Sequence, residues 1–266
     1  MIHPIRSVQA RCQTWMSGHF EKTVYGRRLA KYRDIHKGQR CFIIANGPSL
    51  RADDLNKLAD SGEITFAMNR IYKMFDQTKW RPTYYICEDE LIALSQQAEI
   101  SAIQAKEKFL PAEIKWYYDV NIKNALWFHI NYNNEKRYPY SFSTDIAHQV
   151  DCRGTVTFTC MEFAAYMGFS EIYLLGVDHN YQVTIDIDGN VVVDPNAKDY
   201  FCDGYDSDIK DQVVHNMGNN TRAYLDAREY CRHSGKCSIY NATRGGKLEV
   251  FERVDFDTLM KSAEGN

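Results

Sequence analysis

Cys41-Phe42-Ile43-Ile44-Ala45-Asn46-Gly47-Pro48-Ser49-Leu50 is the stretch on which the reading of this chain turns. A short apolar run rich in branched residues stops at Asn-Gly-Pro-Ser, and a helix-like segment from Leu50 to Leu58 follows. Such a run reads as a buried strand entering a tight turn, whose backbone N–H groups and helix start can face an anion. Gly47 would let a phosphate approach the backbone, Pro48 can open a helix, and Ser49 adds a hydroxyl donor. The plain alternative is an ordinary strand-to-helix turn.

Outward from that turn, strands and helices alternate. Ile64 to Asn69 and Thr83 to Cys87 read as strands, the second ending on Glu88-Asp89-Glu90. Composition predicts a helix from Leu91 to about Phe109, then strands over Lys115 to Tyr118 and Ala125 to Ile130. The polar, aromatic segment Asn131 to Tyr140 reads as a surface loop. Gly154 to Gly168 is the clearest helix, with Val156, Cys160, Phe163 and Met167 on one face and Gly168 as its cap. Glu171 to Asp178 is a fully buried strand, and Val183 to Val193, broken at Asp188-Gly189, a hairpin. Asp194 to Gln212 is acidic, aromatic and aperiodic, which suits a lid over about 194–214. Asn216 to His233 is a helix and Ser238 to Ala242 a last strand. This alternation predicts an α/β fold: a mostly parallel twisted sheet with helices on both faces, Rossmann-like and GT-A-like, in one domain over 39–266.

Ligands in such sheets bind outside the carboxyl ends of the strands. Five strands here end on polar residues: Asn46, Asn69, Glu88 with Asp89, Asp178 and Asn241. That recurrence points to a site along one edge.

Composition narrows the partners. The 266-residue chain carries a net charge of -3, which excludes general affinity for nucleic acid. Its first 38 residues form a basic, helical segment in which Arg6, Arg11, Lys22, Arg27, Arg28, Lys31, Arg33 and Lys37 face only Glu21 and Asp34. Trp15, Met16, Phe20 and Tyr25 interleave them. The segment suits peripheral contact with an anionic membrane face or an acidic lipid-linked acceptor, or else a solvated helix at the domain edge. No run is long enough to span a bilayer and no signal-peptide pattern opens the chain, so a cytoplasmic protein, at most resting on the inner membrane face, is expected. The eight cysteines are scattered singly with no CxxC, which reads as reduced thiols. Association into a homo-oligomer is left open.

Several residues offer chemistry. Asp178 closes the most apolar strand and can accept from a ribose or base, hold a metal, or simply cap a turn. Arg153-Gly154-Thr155 opens the clear helix and offers a second phosphate or carboxylate seat with a guanidinium fork, or a plain helix start. His215, after the acidic lid and before a helix, is the candidate general base. His179 competes with it at the strand edge. Glu88 and Asp89 could share a divalent cation or form a solvated turn. No P-loop, serine nucleophile elbow or zincin motif occurs.

Ile-Ile-Ala-Asn-Gly-Pro-Ser-Leu, Asn69 after the second strand, Gly154-Thr155, and Gly168 to Asp178 resemble the bacterial lipooligosaccharide sialyltransferases. The Pro82 to Asp89 strand and the ending Ile239 to Leu248 are similar to the 6-hydroxymethylpterin diphosphokinase-like domain family, which includes the motility accessory factor glycosyltransferases. Together the resemblance covers roughly residues 40 to 250. It implies a CMP-sugar-dependent, sialyltransferase-like enzyme of lipopolysaccharide or capsule biosynthesis, with a nucleotide-sugar donor, a glycan or glycolipid acceptor and no required cofactor or metal. Asn46, Gly47, Pro48 and Ser49 would sit at the nucleotide phosphates, and Asn69, a catalytic residue beside His215, near the leaving phosphate or sugar. Gly154, Thr155 and Arg153 would face the donor, and Asp178 the nucleotide. His215 would take the acceptor proton, and His179, Tyr181, Tyr200 or Tyr205 would hold the departing phosphate. The alternatives are a magnesium-dependent diphosphokinase using ATP on a pterin-like alcohol, with Glu88 and Asp89 at the metal, and a non-catalytic nucleotide-sugar-binding partner in glycan assembly.

Overall fold

The computed structural model describes residues 14–132, 140–185, 190–207 and 215–264. Eight strands form one sheet in the order β13-β12-β8-β1-β2-β3-β4-β5, parallel throughout. They are β1 (Arg40–Ile44), β2 (Thr65–Met68), β3 (Tyr84–Ile86), β4 (Glu107–Pro111), β5 (Ala125–Phe128), β8 (Glu171–Leu175), β12 (Ser238–Asn241) and β13 (Glu252–Arg253). β6 (Ile130–Asn131) and β7 (Val150–Asp151) form a separate parallel pair. β9 (Val183–Ile185), β10 (Val191–Val193) and β11 (His215–Asn216) form a small third sheet. The helices are α1 (Val24–Leu29), α2 (Ala52–Asp60), α3 (Glu90–Ser95), α4 (Gln97–Ala102), α5 (Ala112–Tyr117), α6 (Val156–Tyr166), α7 (Met217–Ser234) and α8 (Phe256–Glu264).

The central strands are apolar because both their faces are covered. Cys41 to Ile44, Phe66, Ala67, Ile172 and Leu174 are fully buried. α6 lies across β1 and β2 and is buried nearly all round, which explains why its apolar pattern is broad rather than a narrow stripe. The chain leaves β1 toward β2, β3, β4 and β5, then returns to place β8 on the other side of β1. The β1/β8 junction is therefore the point at which the winding reverses and the chain leaves a crevice at the carboxyl edge.

The expected helix from Leu91 to Phe109 is two short helices, α3 and α4, followed by strand β4. Lys108 conceals that strand in the sequence: it is buried, and its Nζ donates to the Ile100 and Ser101 carbonyls at the end of α4. The strand expected at Lys115 to Tyr118 is instead the end of α5, which starts directly after Pro111. Ala125 to Ile130 divides into β5 and the start of β6. The hairpin over Val183 to Val193 is present as the antiparallel β9/β10 pair, with its tip outside the described residues. Most of the loop at 131–140 and the lid beyond 207 also lie outside them. From residue 20 onward the basic leader is built into the core rather than standing apart. Phe20 and Leu29 are fully buried, Tyr32 donates to Glu107, and the His36 ring bonds the Tyr84 hydroxyl. Among the described residues no helix is long and apolar enough to cross a membrane.

Candidate functional site

A cavity of about 450 Å³ opens at the carboxyl edge of the sheet, over the β1/β8 switch point. The ends of β1, β2, β3 and β8 supply its floor, through Asn46, Asn69, Glu88 and Asp178. The amino-terminal turns of α6 and α7 form one wall and β11 with Tyr181, Tyr200, Tyr205 and Asp206 the other. Of the fifth strand-end residue, Asn241, the structure makes a turn anchor: it is buried, donating to the Leu248 carbonyl and accepting from Thr243 N–H.

The Asn-Gly-Pro-Ser turn cradles an anion, but the anion is the protein's own. Ser49 Oγ and N–H donate to Asp178 Oδ2 at 2.8 and 3.3 Å. Gly47 N–H donates to the Gly176 carbonyl at 2.9 Å. A Cβ at Gly47 would fall 2.0 Å from Asp178 Oδ2, so glycine is required by the close approach of β8 rather than by a phosphate. Gly246, at φ +74°, closes on the Asp178 backbone from the other side, where a Cβ would meet its carbonyl oxygen at 2.7 Å. Burial pushes the Asp178 carboxyl up and the Ser49 bonds oppose it. Pro48 and Ser49 do not line the cavity. Arg153 does not either: its fork is taken by Asp226 of α7 at 3.0 Å.

The groups facing the cavity are instead under-partnered. Asn46 Nδ2 donates to the Met68 carbonyl at 3.1 Å, an acceptor that only the amino group can face, which turns Oδ1 away, buried and without a partner. Asn69 Oδ1, Glu88 Oε1, His179 Nδ1 and His215 Nε2 are likewise buried and unpartnered. Buried polar atoms left without partners are rare, and five around one cavity mark a place built for a polar ligand. Asn69 and His179 also hold positive φ (48° and 51°), two of only four such non-glycine residues among those described. Backbone strain of this kind collects at functional sites.

The two histidines differ in setting. His179 Nε2 bonds Thr221 Oγ1 at 2.9 Å, and burial lowers its pKa to about 4. His215, on β11, stacks on Tyr181 with centroids 3.8 Å apart, and burial lowers its pKa against the opposing charge of Asp199. Both are neutral at pH 7, and each keeps one buried ring nitrogen without a partner. Tyr200 stacks on Tyr205 at 3.9 Å, and burial raises both phenols. Arg70, fully buried, anchors this pair: its N–H donates to the Tyr205 hydroxyl and its Nη1 to the Tyr205 carbonyl. The described lid residues are thus folded down onto the turn after β2, a contact that no local pattern around Arg70 signals.

The acidic run after β3 separates. Glu88 points inward, accepts from Thr159 Oγ1 at 2.9 Å and is raised by burial to about 7. Asp89 caps α3 through Ile92 N–H, and Glu90 accepts from Tyr118 at the surface. Among the described residues no three His, Cys, Asp or Glu side chains group together, and Asp89 is already engaged as a cap, so Glu88 and Asp89 do not fit a shared metal. No Lys or Arg lines the described cavity, leaving the first turns of α6 and α7 as its positive ends. Gly154, at φ +80°, and Thr155 bring the α6 amides to that wall.

Sequence reasoning missed Asn219, Asn220, Tyr224 and Arg70. The first three sit within the first eight residues of α7, a segment whose sequence predicts only a helix.

No curated protein matches this chain. Among solved structures, the MAf glycosyltransferase from Magnetospirillum magneticum AMB-1 shares its fold at TM-score 0.52 and 15% identity, over 90% of this chain and 40% of that one. The chain thus spans less than half the length of that neighbour. The family model of 6-hydroxymethylpterin diphosphokinase MptE-like proteins matches residues 19–184, more than half of the chain, and this protein belongs to that family.

Proposed function

We propose that the protein is an inverting glycosyltransferase that moves a sialic-acid-like keto sugar from a CMP-activated donor to a hydroxyl of a cell-surface glycan. The observation that carries this reading is His215, whose buried, unpartnered Nε2 borders a cavity at the carboxyl edge of the sheet. A neutral imidazole so placed can take the acceptor proton while the acceptor oxygen bonds to the anomeric carbon and the bond to the CMP phosphate breaks. The leaving phosphate would rest on the first turn of α6, at Gly154 and Thr155, with the Tyr181 and Tyr205 phenols as further donors, while the Tyr200 phenol is held by Asp206. Asn46 has its amino group engaged and so serves as an acceptor for ligand hydroxyls, not as a phosphate donor. Catalysis would be mainly positioning plus base assistance, because a phosphate leaves readily.

A second reading, an ATP-dependent diphosphokinase, is favoured by the family's description alone. A thermal-shift screen against CMP, CDP, UDP, GDP, ADP and ATP, each with magnesium and with EDTA, separates the two. Stabilisation by CMP in EDTA is expected. Stabilisation by ATP or ADP alone, and only with magnesium, overturns the transferase reading.

A further inference from the structure

Cys231 and Cys237 lie far from the cavity and play no part in the chemistry above. Cys231 is on the last turn of α7, and Cys237 immediately precedes β12. Their Sγ atoms are 3.0 Å apart, inside ordinary sulfur contact distance, and both thiols are free. The turn between them reverses the chain through Gly235, at φ +60°, whose N–H closes on the Cys231 carbonyl at 2.9 Å. The fold has therefore already brought the sulfurs together, and a bond requires only about a further 1 Å of approach.

We propose that Cys231 and Cys237 form a dithiol modification site that closes to an intramolecular disulfide by exchange with a small disulfide such as oxidised glutathione. Cys237 is the attacking sulfur. Its contact with Cys231 and the neighbouring Lys236 charge lower its pKa against the opposing effect of burial. The thiolate of Cys237 attacks the small disulfide, forming a mixed disulfide and releasing one glutathione thiolate. Cys231, giving up its proton, then attacks the Cys237 sulfur and releases the second. The protein loses two electrons and two protons, and one glutathione disulfide becomes two glutathione thiols. Arg232, His233, Gly235 and Lys236 are exposed in the turn, so an anionic peptide disulfide has a cationic approach.

The position of the pair says what its closure does. Cys231 is 15 residues along α7 from Asn216, about 22 Å from the cavity wall. Closure pins the end of α7 to β12 and constrains the unfolded chain, without touching the groups that face the ligand. It is a stabilising modification and not a gate.

The test incubates the full chain with oxidised glutathione, quenches with iodoacetamide, and reads intact mass, a peptide map and the melting temperature. Expected are the loss of two alkylatable thiols, a linked Cys231–Cys237 peptide and a rise of about 4 °C in melting temperature. The rise should vanish in Cys231→Ser and in Cys237→Ser, and the first variant should retain a glutathione adduct on Cys237. Both thiols remaining alkylatable, linkage of either to a third cysteine, or a rise that persists in the serine variants overturns the proposal. Loss of nucleotide binding on oxidation overturns the assignment as a staple.

Discussion

His215 is neutral because burial disfavours its charge, and it lines the cavity with its buried Nε2 left without a partner. Replacing it by Ala should lower sugar transfer about a hundredfold with an unchanged circular dichroism spectrum. Near-full turnover in that variant would remove it from the mechanism. A lowered histidine pKa keeps the base available through neutral pH, so the rate should hold from pH 8 down to about the ordinary histidine value of 6.5 and fall only below it. Glu88 titrates the other way. Raised from 4.5 to about 7, it binds its proton more tightly in the folded state, so stability is lost as pH rises between those values. Glu88→Gln removes that loss and should gain on the order of 3 kcal/mol over the parent at pH 8 relative to pH 4.5, read as melting temperatures across pH. A gain independent of pH would mean that the carboxyl is not held protonated. Gly47→Ala forces a methyl group onto Asp178, and a loss of at least about 2 kcal/mol is expected from urea midpoints.

Between the residue and the domain, the loops that follow β8 and β12 act as one unit. Asp178 lies between Gly47 and Gly246, Lys247 N–H donates to its carbonyl at 2.7 Å, and Thr243 Oγ1 accepts from Val177 N–H. Arg244 ties this unit to α2 and α8 through a bidentate bond to Asp54, at 3.0 Å for each contact, and a third to Asp257 at 2.8 Å. Asp54 is only 2% exposed, and that fork is what pairs its buried carboxylate. Arg244→Ala should therefore cost about 3 kcal/mol, the scale of a buried charge left without its partner, whereas an exposed pair such as Lys79 with Asp60 should cost less than about 1 kcal/mol. Equal small losses in the two variants would show that Asp54 is rehydrated instead.

At the scale of the whole molecule, the leader and the sheet share one core. Phe20 packs edge-on to Trp116 and beside His129, and a Cβ at Gly26 would meet the Phe20 carbonyl at 2.2 Å and the Ala147 carbonyl at 2.8 Å. Deleting residues 1–38 removes two fully buried large side chains, each worth about 3 kcal/mol, from a domain whose net stability is about 5–15 kcal/mol. The truncated chain should lose its cooperative thermal transition by circular dichroism, whatever the leader contacts outside the molecule. A truncation that melts like the full chain would mark residues 1–38 as a true appendage.

Strand-helix alternation, the apolar runs at Cys41–Ala45 and Glu171–Val177, and polar strand ends were enough to read from sequence a mostly parallel α/β fold with a candidate site at its carboxyl edge. These are local signals: a strand buried on both faces must be apolar along its length, and its exit must be polar where it meets solvent or ligand. The pterin diphosphokinase-like resemblance held for the same reason, since it rests on contiguous motifs. What needed the tertiary structure was the direction in which each polar group is used. Ser49 and Gly47 look like donors for a phosphate until Asp178, 129 residues away from Ser49, takes the Ser49 donors and the Gly176 carbonyl takes the Gly47 N–H. Arg153 looks like a free fork until α7 presents Asp226. Arg70 carries no mark of a lid anchor until Tyr205 folds onto it. Sequence patterns report which groups a segment carries. Only long-range packing decides which of them find partners and which are left to line the cavity.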